Sequence, residues 1–314
     1  YRALIAHHTS LPLDPDAIQA TGLAEIERLH REVEALGALS AGRSDVQEIF
    51  RWLRTDPVLR FTTEAEVEAK ATEALARARA AIPTWFGRLP EAACDVARIP
   101  AYQAPYTTIA YYMPSVPGEK PGIYYINTWQ PETRPRHEAE VLAFHESIPG
   151  HHLQIARAQE LKGLPAFRRA AGFVAYSEGW ALYAESLGEE MGLYQDPYAK
   201  FGRLSAEMWR ACRLVVDTGL HAFGWTRDQA IRHLPDNARL HEATAIAETD
   251  RYILNPGQAL GYKIGELRIK AMRAKAAKAL GERFDLRRFH NAILDDGALP
   301  LNVLEARIDE ILQG

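Results

Sequence analysis

Apolar residues recur at helical spacing along most of this chain. Leu23, Ile26, Leu29, Val33 and Leu36 form one stripe, which predicts a helix over 22–36 stopped by Gly37. Ser44-Asp45-Val46-Gln47 and Thr63-Glu64-Ala65-Glu66 read as capping boxes opening two more helices, the second running through 64–81 to a stop near Pro83. The pattern then changes. Cys94–Ile99, Thr107–Met113 and Ile123–Asn127 are short β-branched and aromatic runs separated by Pro and Gly clusters, a small β unit over about 92–127. From residue 135 helical spacing returns, with helices expected over about 197–222, 226–234, 239–252, 258–280, 285–294 and 301–312. Tyr176, Trp180, Tyr183 and Leu187 predict a further, buried helix. The expected fold class is mainly α with a small β unit.

Composition narrows the class. With 314 residues and 47% hydrophobic content the chain can bury one large core or two smaller ones, and we read 1–314 as a single catalytic domain. A net charge of −4 gives no footprint for nucleic acid or membrane phosphates. No apolar run approaches the ~20 residues that span a bilayer. Cys94 and Cys212 sit in apolar surroundings typical of buried thiols rather than of a disulfide framework. No signal-peptide pattern is read, and a cytoplasmic location is expected. Because the chain opens on Tyr1, an exported form with a trimmed leader stays open. Oligomeric state is not legible.

The chemistry concentrates in Phe144-His145-Glu146-Ser147-Ile148-Pro149-Gly150-His151-His152. The run is close to the His-Glu-x-x-His signature, in which two imidazoles hold zinc and the glutamate polarises a water. Here the second histidine comes two residues late. On an unbroken helix His151 falls roughly 120° away from His145, whereas His152 is only about 20° off but about 10 Å along the axis. Pro149 and Gly150 disfavour an unbroken helix. A bulge there absorbs the two extra residues and returns His151 to His145, leaving His151 and His152 as the alternatives to separate.

A catalytic zinc also needs a third protein ligand and an open position. Glu178, in Ser177-Glu178-Gly179-Trp180-Ala181, lies close to an apolar stripe, where an unpaired carboxylate is costly and a cation supplies its partner. Glu185 and Glu189 read as solvent-facing. A glutamate ligand on a second helix is similar to the arrangement of gluzincin peptidases. Other residues are candidates for the same site. Gly122–Asn127 is expected to be an edge strand on which an extended substrate pairs, with Tyr124, Tyr125 and Asn127 as substrate contacts. Arg213, Asp217 and His221 share a helix face; the first two read as a salt bridge, and His221 as a group that orients substrate or contacts the oxyanion. Gly257, Gly261 and Gly265 form a side-chain-free stripe for close helix packing. Beside it, Tyr262 is the preferred oxyanion donor and Tyr252 the second choice, with Arg251 and Gln258 on the same wall.

His-Glu-x-x-Pro-Gly-His-His-Leu-Gln followed by Ser-Glu-Gly-Trp-Ala resembles the bacterial domain-of-unknown-function family 885. Arg213–Trp225 and Arg251–Gly265 match it too, and the resemblance runs from about residue 15 to the C-terminus. It implies a helical, gluzincin-like zinc metallopeptidase with His145, His151 and Glu178 as ligands and Glu146 as base. It also implies that this chain is the C-terminal catalytic part of a longer architecture. The expected function is therefore a zinc-dependent hydrolase, a metallopeptidase cleaving short peptides or small amides. A metal-dependent hydrolase or lyase on a non-peptide C–N bond is the alternative, and a non-catalytic protein with a retained metal site the third.

Overall fold

A computed structural model describes residues 1–313. Helix α1 (Arg2–Thr9) leads into α2 (Pro15–Ser40), α3 (Val46–Thr55) and α4 (Glu64–Ala81). Strands β1 (Cys94–Arg98), β2 (Ala110–Met113) and β3 (Gly122–Ile126) follow. The rest is helical: α5 (Ala139–Glu146), α6 (His151–Glu160), α7 (Ala166–Ala170), α8 (Val174–Glu190), α9 (Ala199–Ala222), α10 (Arg227–Ala238), α11 (Glu242–Leu254), α12 (Leu260–Leu280), α13 (Leu286–Leu294) and α14 (Leu301–Gln313). The protein is mainly helical with one three-stranded sheet, as the spacing predicts. Among the described residues no helix is long and apolar enough to cross a membrane.

Local chemistry sets the ends. Asp14 accepts from the Asp16 N–H and Pro15 takes the first helical position, so α2 starts well before residue 22. Gly37 does not stop it. A side chain there would collide with Ile49 of α3, so this glycine lets the two helices approach. Leu23 lies on the exposed side, and Ile18, Gly22, Ile26, Leu29 and Val33 make the buried stripe. Asp45, not Ser44, caps α3 by accepting from the Glu48 N–H, and Thr63 caps α4 through the Glu66 N–H.

The sheet order is β1-β3-β2, with β1 parallel and β2 antiparallel to β3. β3 is therefore the central strand, and the expectation that Gly122–Asn127 offers a free edge is corrected: its backbone pairs on both sides. The parallel β1–β3 pairing is long-range and leaves no mark in the run itself. Along β3, Gly122, Tyr124 and Ile126 face the core while Ile123 and Tyr125 face the other way.

Two apolar clusters fill the interior. One gathers Tyr124, Phe144, Tyr176, Trp180 and Tyr183 from the sheet, α5 and α8, with Phe86 from the segment after α4. The other gathers Phe50, Phe201, Met208 and Tyr252 around α9. Burying each such aromatic contributes on the order of 1.5–3 kcal/mol. Helix α12 crosses α8 where Gly265 meets Ala175 and Gly179, and Gly261 meets Val174 and Ala175. The expected small-residue stripe is thus a helix crossing, and it fixes the helix that carries Glu178. Gly257 is not part of it; it sits in the turn before α12 at φ 84°, against the backbone of Leu4 and Ile5.

Candidate metal centre

Helix α5 ends at Glu146 and α6 begins at His151, so the two extra residues lie in a four-residue break at 147–150. The Ser147 N–H and hydroxyl both close onto Ala143 O, and the His152 N–H returns to Ser147 O. Gly150 passes so close to the carbonyl oxygens of Phe144 and His145 that any Cβ would overlap them. The Trp180 indole donates to Pro149 O at 3.0 Å and ties the break to α8.

This break brings His145 and His151 together, with ring centroids 4.8 Å apart. Glu178 of α8 faces both: its Oε2 lies 3.6 Å from His145 Nε2 and 3.4 Å from His151 Nε2. One donor atom from each of the three residues falls within 4.8 Å of the others. Zinc ligands held at about 2.0–2.1 Å around a tetrahedron lie about 3.4 Å apart, so the spacing fits such an ion. Glu178 Oε2 is buried without a hydrogen-bond partner, and so is His151 Nδ1. An orphan carboxylate oxygen facing two imidazoles is a donor set that could hold a divalent cation.

His152 points elsewhere. Its Nδ1 meets the Tyr112 hydroxyl at 3.0 Å and its Nε2 meets Ala92 O at 3.1 Å, so both ring nitrogens are engaged on the sheet side. Burial, against a weaker pull from Ala92 O, pushes its pKa down to about 4. Of the two alternatives, only His151 faces His145 and Glu178.

Glu185 corrects a reading of the sequence. It is buried rather than solvent-facing, and its Oε1 lies 2.7 Å from His145 Nδ1. That contact fixes the ring so that Nε2 faces Glu178. Arg210 Nη2 stands 3.6 Å behind Glu185. A signal for Glu185 did exist: it lies seven residues after Glu178, hence on the same helix face. Burial alone would lower the His145 pKa, but Glu178 and Glu185 overcome it and raise it to about 9. Burial likewise opposes ionisation of Glu178, yet the two histidines hold its carboxyl well below the usual range. A cation at this position would compete with a proton for His145.

Glu146, partly exposed at the end of α5, sits next to His145 in the chain. Its charge reaches the buried Tyr124 phenol, which burial and then Glu146 push up in pKa. Tyr124 thus comes near the centre from the core side, not from a strand edge. Tyr125 stacks on Tyr111 on the opposite face of the sheet, at 5.0 Å between rings. Asn127 is buried and spent on its own loop, donating to Ala104 O and Thr108 O and accepting from the Trp129 N–H. Neither is placed as the edge-strand reading required.

Tyr262 lies on α12 beside the Gly261–Gly265 crossing, near enough to Glu178 that, after burial, this carboxylate is the next cause raising its pKa. Tyr252 is buried and satisfied: its hydroxyl donates to Glu248 at 2.7 Å and accepts from Arg213 Nε and Trp209 Nε1. No hydrogen is left for an oxyanion. His221 donates from Nε2 to Tyr252 O at 3.1 Å and packs on the Tyr1 ring, which is a role in tying α9 to α11. The expected Arg213–Asp217 salt bridge does not form. Arg213 turns to Glu248, and Asp217 accepts from the Tyr1 hydroxyl and the Gly257 N–H. Arg251 binds Glu248 and also donates to Gln258 Oε1 at 2.6 Å, so Arg251 and Gln258 share the wall with Tyr262.

The family model described as "Bacterial protein of unknown function (DUF885)" matches residues 1–308, reaching further toward the N-terminus than the motifs indicate. The chain is similar to the solved structure of a putative lipoprotein from Colwellia psychrerythraea, with 36% identity and a TM-score of 0.95. The match covers 100% of this chain and 55% of that one. A second, from Shewanella oneidensis and described as a putative lipoprotein of unknown function, shares the fold at 20% identity and a TM-score of 0.82, with 98% and 58% covered. The chain thus spans little more than half the length of these relatives. No curated protein matches it.

Proposed function

The chain belongs to DUF885, a family of bacterial proteins of unknown function, and we propose that it is a zinc-dependent hydrolase of the gluzincin type, acting on peptide bonds. The observation that carries this reading is the convergence of His145 Nε2 and His151 Nε2 on an orphan carboxylate oxygen of Glu178, with Glu146 adjoining. His145, His151 and Glu178 would hold the ion, leaving one position open. Zinc in such a setting acidifies a water and polarises a carbonyl.

The residues divide the remaining work. Glu146, partly exposed beside the ligands, takes the proton of the attacking water and hands it to the leaving amine. Glu185 holds His145 in the tautomer with a free Nε2. Tyr262 is a phenol on α12 that feels the charge of Glu178, and it donates to the developing oxyanion. The helix crossing at Gly179 and Gly265 supplies the rigidity that such a donor needs. A closed structural zinc site requires no adjoining carboxylate, which favours catalysis over a retained structural ion.

The relatives' lipoprotein descriptions favour an exported location for this chain over the cytoplasmic one expected from its sequence. A peptide-library digest read by mass spectrometry tests the activity. Zinc-loaded protein should cleave, and Glu146→Gln should retain zinc while losing on the order of 10²–10⁴-fold in rate. An active Glu146→Gln enzyme, or no cleavage of any peptide by zinc-loaded protein, would contradict the reading.

A further inference from the structure

We propose that Arg213 and Arg251, beside the Tyr262 ring, form a seat for a carboxylate, so that the substrates of this site are peptides carrying a free carboxyl group close to the scissile bond. The inference rests on the hydrolase reading and gives its substrate class. Helix α9 links the seat to the metal centre: Arg210 stands behind Glu185, and Arg213 follows three residues later, about 4.5 Å along the helix on the same side. Helix α12 links it a second time, since Tyr262 flanks the crossing that positions Glu178.

The hydrogen bonds of this wall leave one cationic nitrogen over. Arg213 is buried, with a 5% exposed side chain, and its guanidinium lies 4.3 Å from the Tyr262 ring centre and 4.6 Å from that of Trp209. Its Nε donates to Tyr252 and its Nη2 to Glu248, while Nη1 is buried with no partner. Arg251 spends Nε and Nη2 on the same Glu248, which also accepts from the Tyr252 hydroxyl. One carboxylate thus serves two guanidiniums and a phenol. Asp217 feels the charge of Arg251 but hydrogen-bonds to the Tyr1 hydroxyl and the Gly257 N–H, so it gives neither guanidinium an acceptor. A buried guanidinium with an idle nitrogen is expensive unless an anion joins it. Arg251 is 35% exposed and Tyr262 is partly exposed, so the cluster is not sealed from solvent. A planar carboxylate matches the guanidinium fork, which makes it the anion of choice.

Calorimetric titration of zinc-loaded Glu146→Gln protein separates the possibilities with three probes: N-acetyl-trialanine as the free acid, its C-terminal amide, and N-acetyl-Ala-Glu-Ala amide. The free acid should bind about tenfold or more tightly than its amide, and Arg251→Gln should remove most of that preference. Arg213→Lys should weaken it as well; should that variant fail to fold, the surface change at Arg251 decides alone. If the glutamyl amide is the probe preferred, the seat takes an acidic side chain rather than a chain terminus, and the carboxylate assignment stands. Equal binding of all three probes, binding of none, or a preference that survives both substitutions overturns the seat. Zinc content and peptide hydrolysis, measured separately, report on the catalytic reading independently of these affinities.

Discussion

Replacing Gly265 by alanine tests how far the metal centre depends on one helix crossing. A Cβ at this position would lie 2.7 Å from Gly179 Cα and nearer still to Ala175 O, whereas ordinary contact begins at 3.4 Å. Both obstacles are backbone, so no rotamer relieves them. The nearer obstacle, Ala175 O, requires the helices to part by more than about 1 Å, and overpacking of this kind typically destabilises by about 1–3 kcal/mol. The helix propensity of alanine over glycine returns roughly 1 kcal/mol, which leaves a net loss of at most about 2 kcal/mol. Position matters more than stability here. Glu178 adjoins Gly179, and a productive site tolerates only about 0.5 Å of displacement. We therefore expect zinc affinity to fall about 10–100-fold, the range seen when the support of a ligand is lost. Competition with a chromophoric zinc chelator measures the affinity, and thermal melts of zinc-free protein measure the stability. A variant that melts like the parent and binds zinc equally well would refute the claim that this crossing positions Glu178.

Three further outcomes are expected. Glu185→Gln should keep the fold but weaken zinc binding about 10–100-fold, read by the same competition assay, because the amide no longer fixes His145 as a charged acceptor does. Tyr262→Phe should lower kcat at unchanged zinc content, by the loss of roughly 2.7–4 kcal/mol of transition-state stabilisation typical of an oxyanion donor, whereas an unchanged kcat removes Tyr262 from the mechanism. Stability should fall by several kcal/mol between pH 6.5 and 4: burial pushes His152 and His290 from 6.5 down to about 4 and His137 well below 6.5, so their contribution is complete above the unfolded value and is lost as protons bind the unfolded chain first. Asp217, raised by burial to about 6, works in the opposite direction over most of that range, from about pH 6 down, but is outnumbered, and a denaturation midpoint that stays flat or rises on acidification would contradict the sign.

Much of the helical layout was legible because apolar spacing reports burial directly. The Gly261–Gly265 stripe was legible for a related reason, since small residues one turn apart have few uses other than a close crossing. Sheet order was not. The pairing of β1 with β3 skips a strand, and nothing in Gly122–Ile126 distinguishes a central strand from an edge. The approach of His151 to His145 was legible because Pro149 and Gly150 announce a break in the helix. The engagement of His152 with Tyr112 and Ala92 was invisible, as both partners come from 40 or more residues away. Glu185 was misread by treating carboxylates as solvent-facing; its seven-residue offset from Glu178 marked it as inward once Glu178 was placed inward. Tyr252 and His221 drew attention as reactive types near the motif, but their partners on α9 and α11 spend their polar atoms on packing.

The account stands or falls on the metal. Zinc content should be measured by elemental analysis on the purified chain and on His151→Ala and His152→Ala. About one zinc per chain is expected for the parent, as for a site with three protein ligands and an open position. His151→Ala should lose most of it, and His152→Ala should keep it, because the His152 ring faces Tyr112 and Ala92 instead. A parent chain that binds no zinc when supplied with it, or the reverse behaviour of the two variants, would contradict the assignment of His145, His151 and Glu178 as a metal centre.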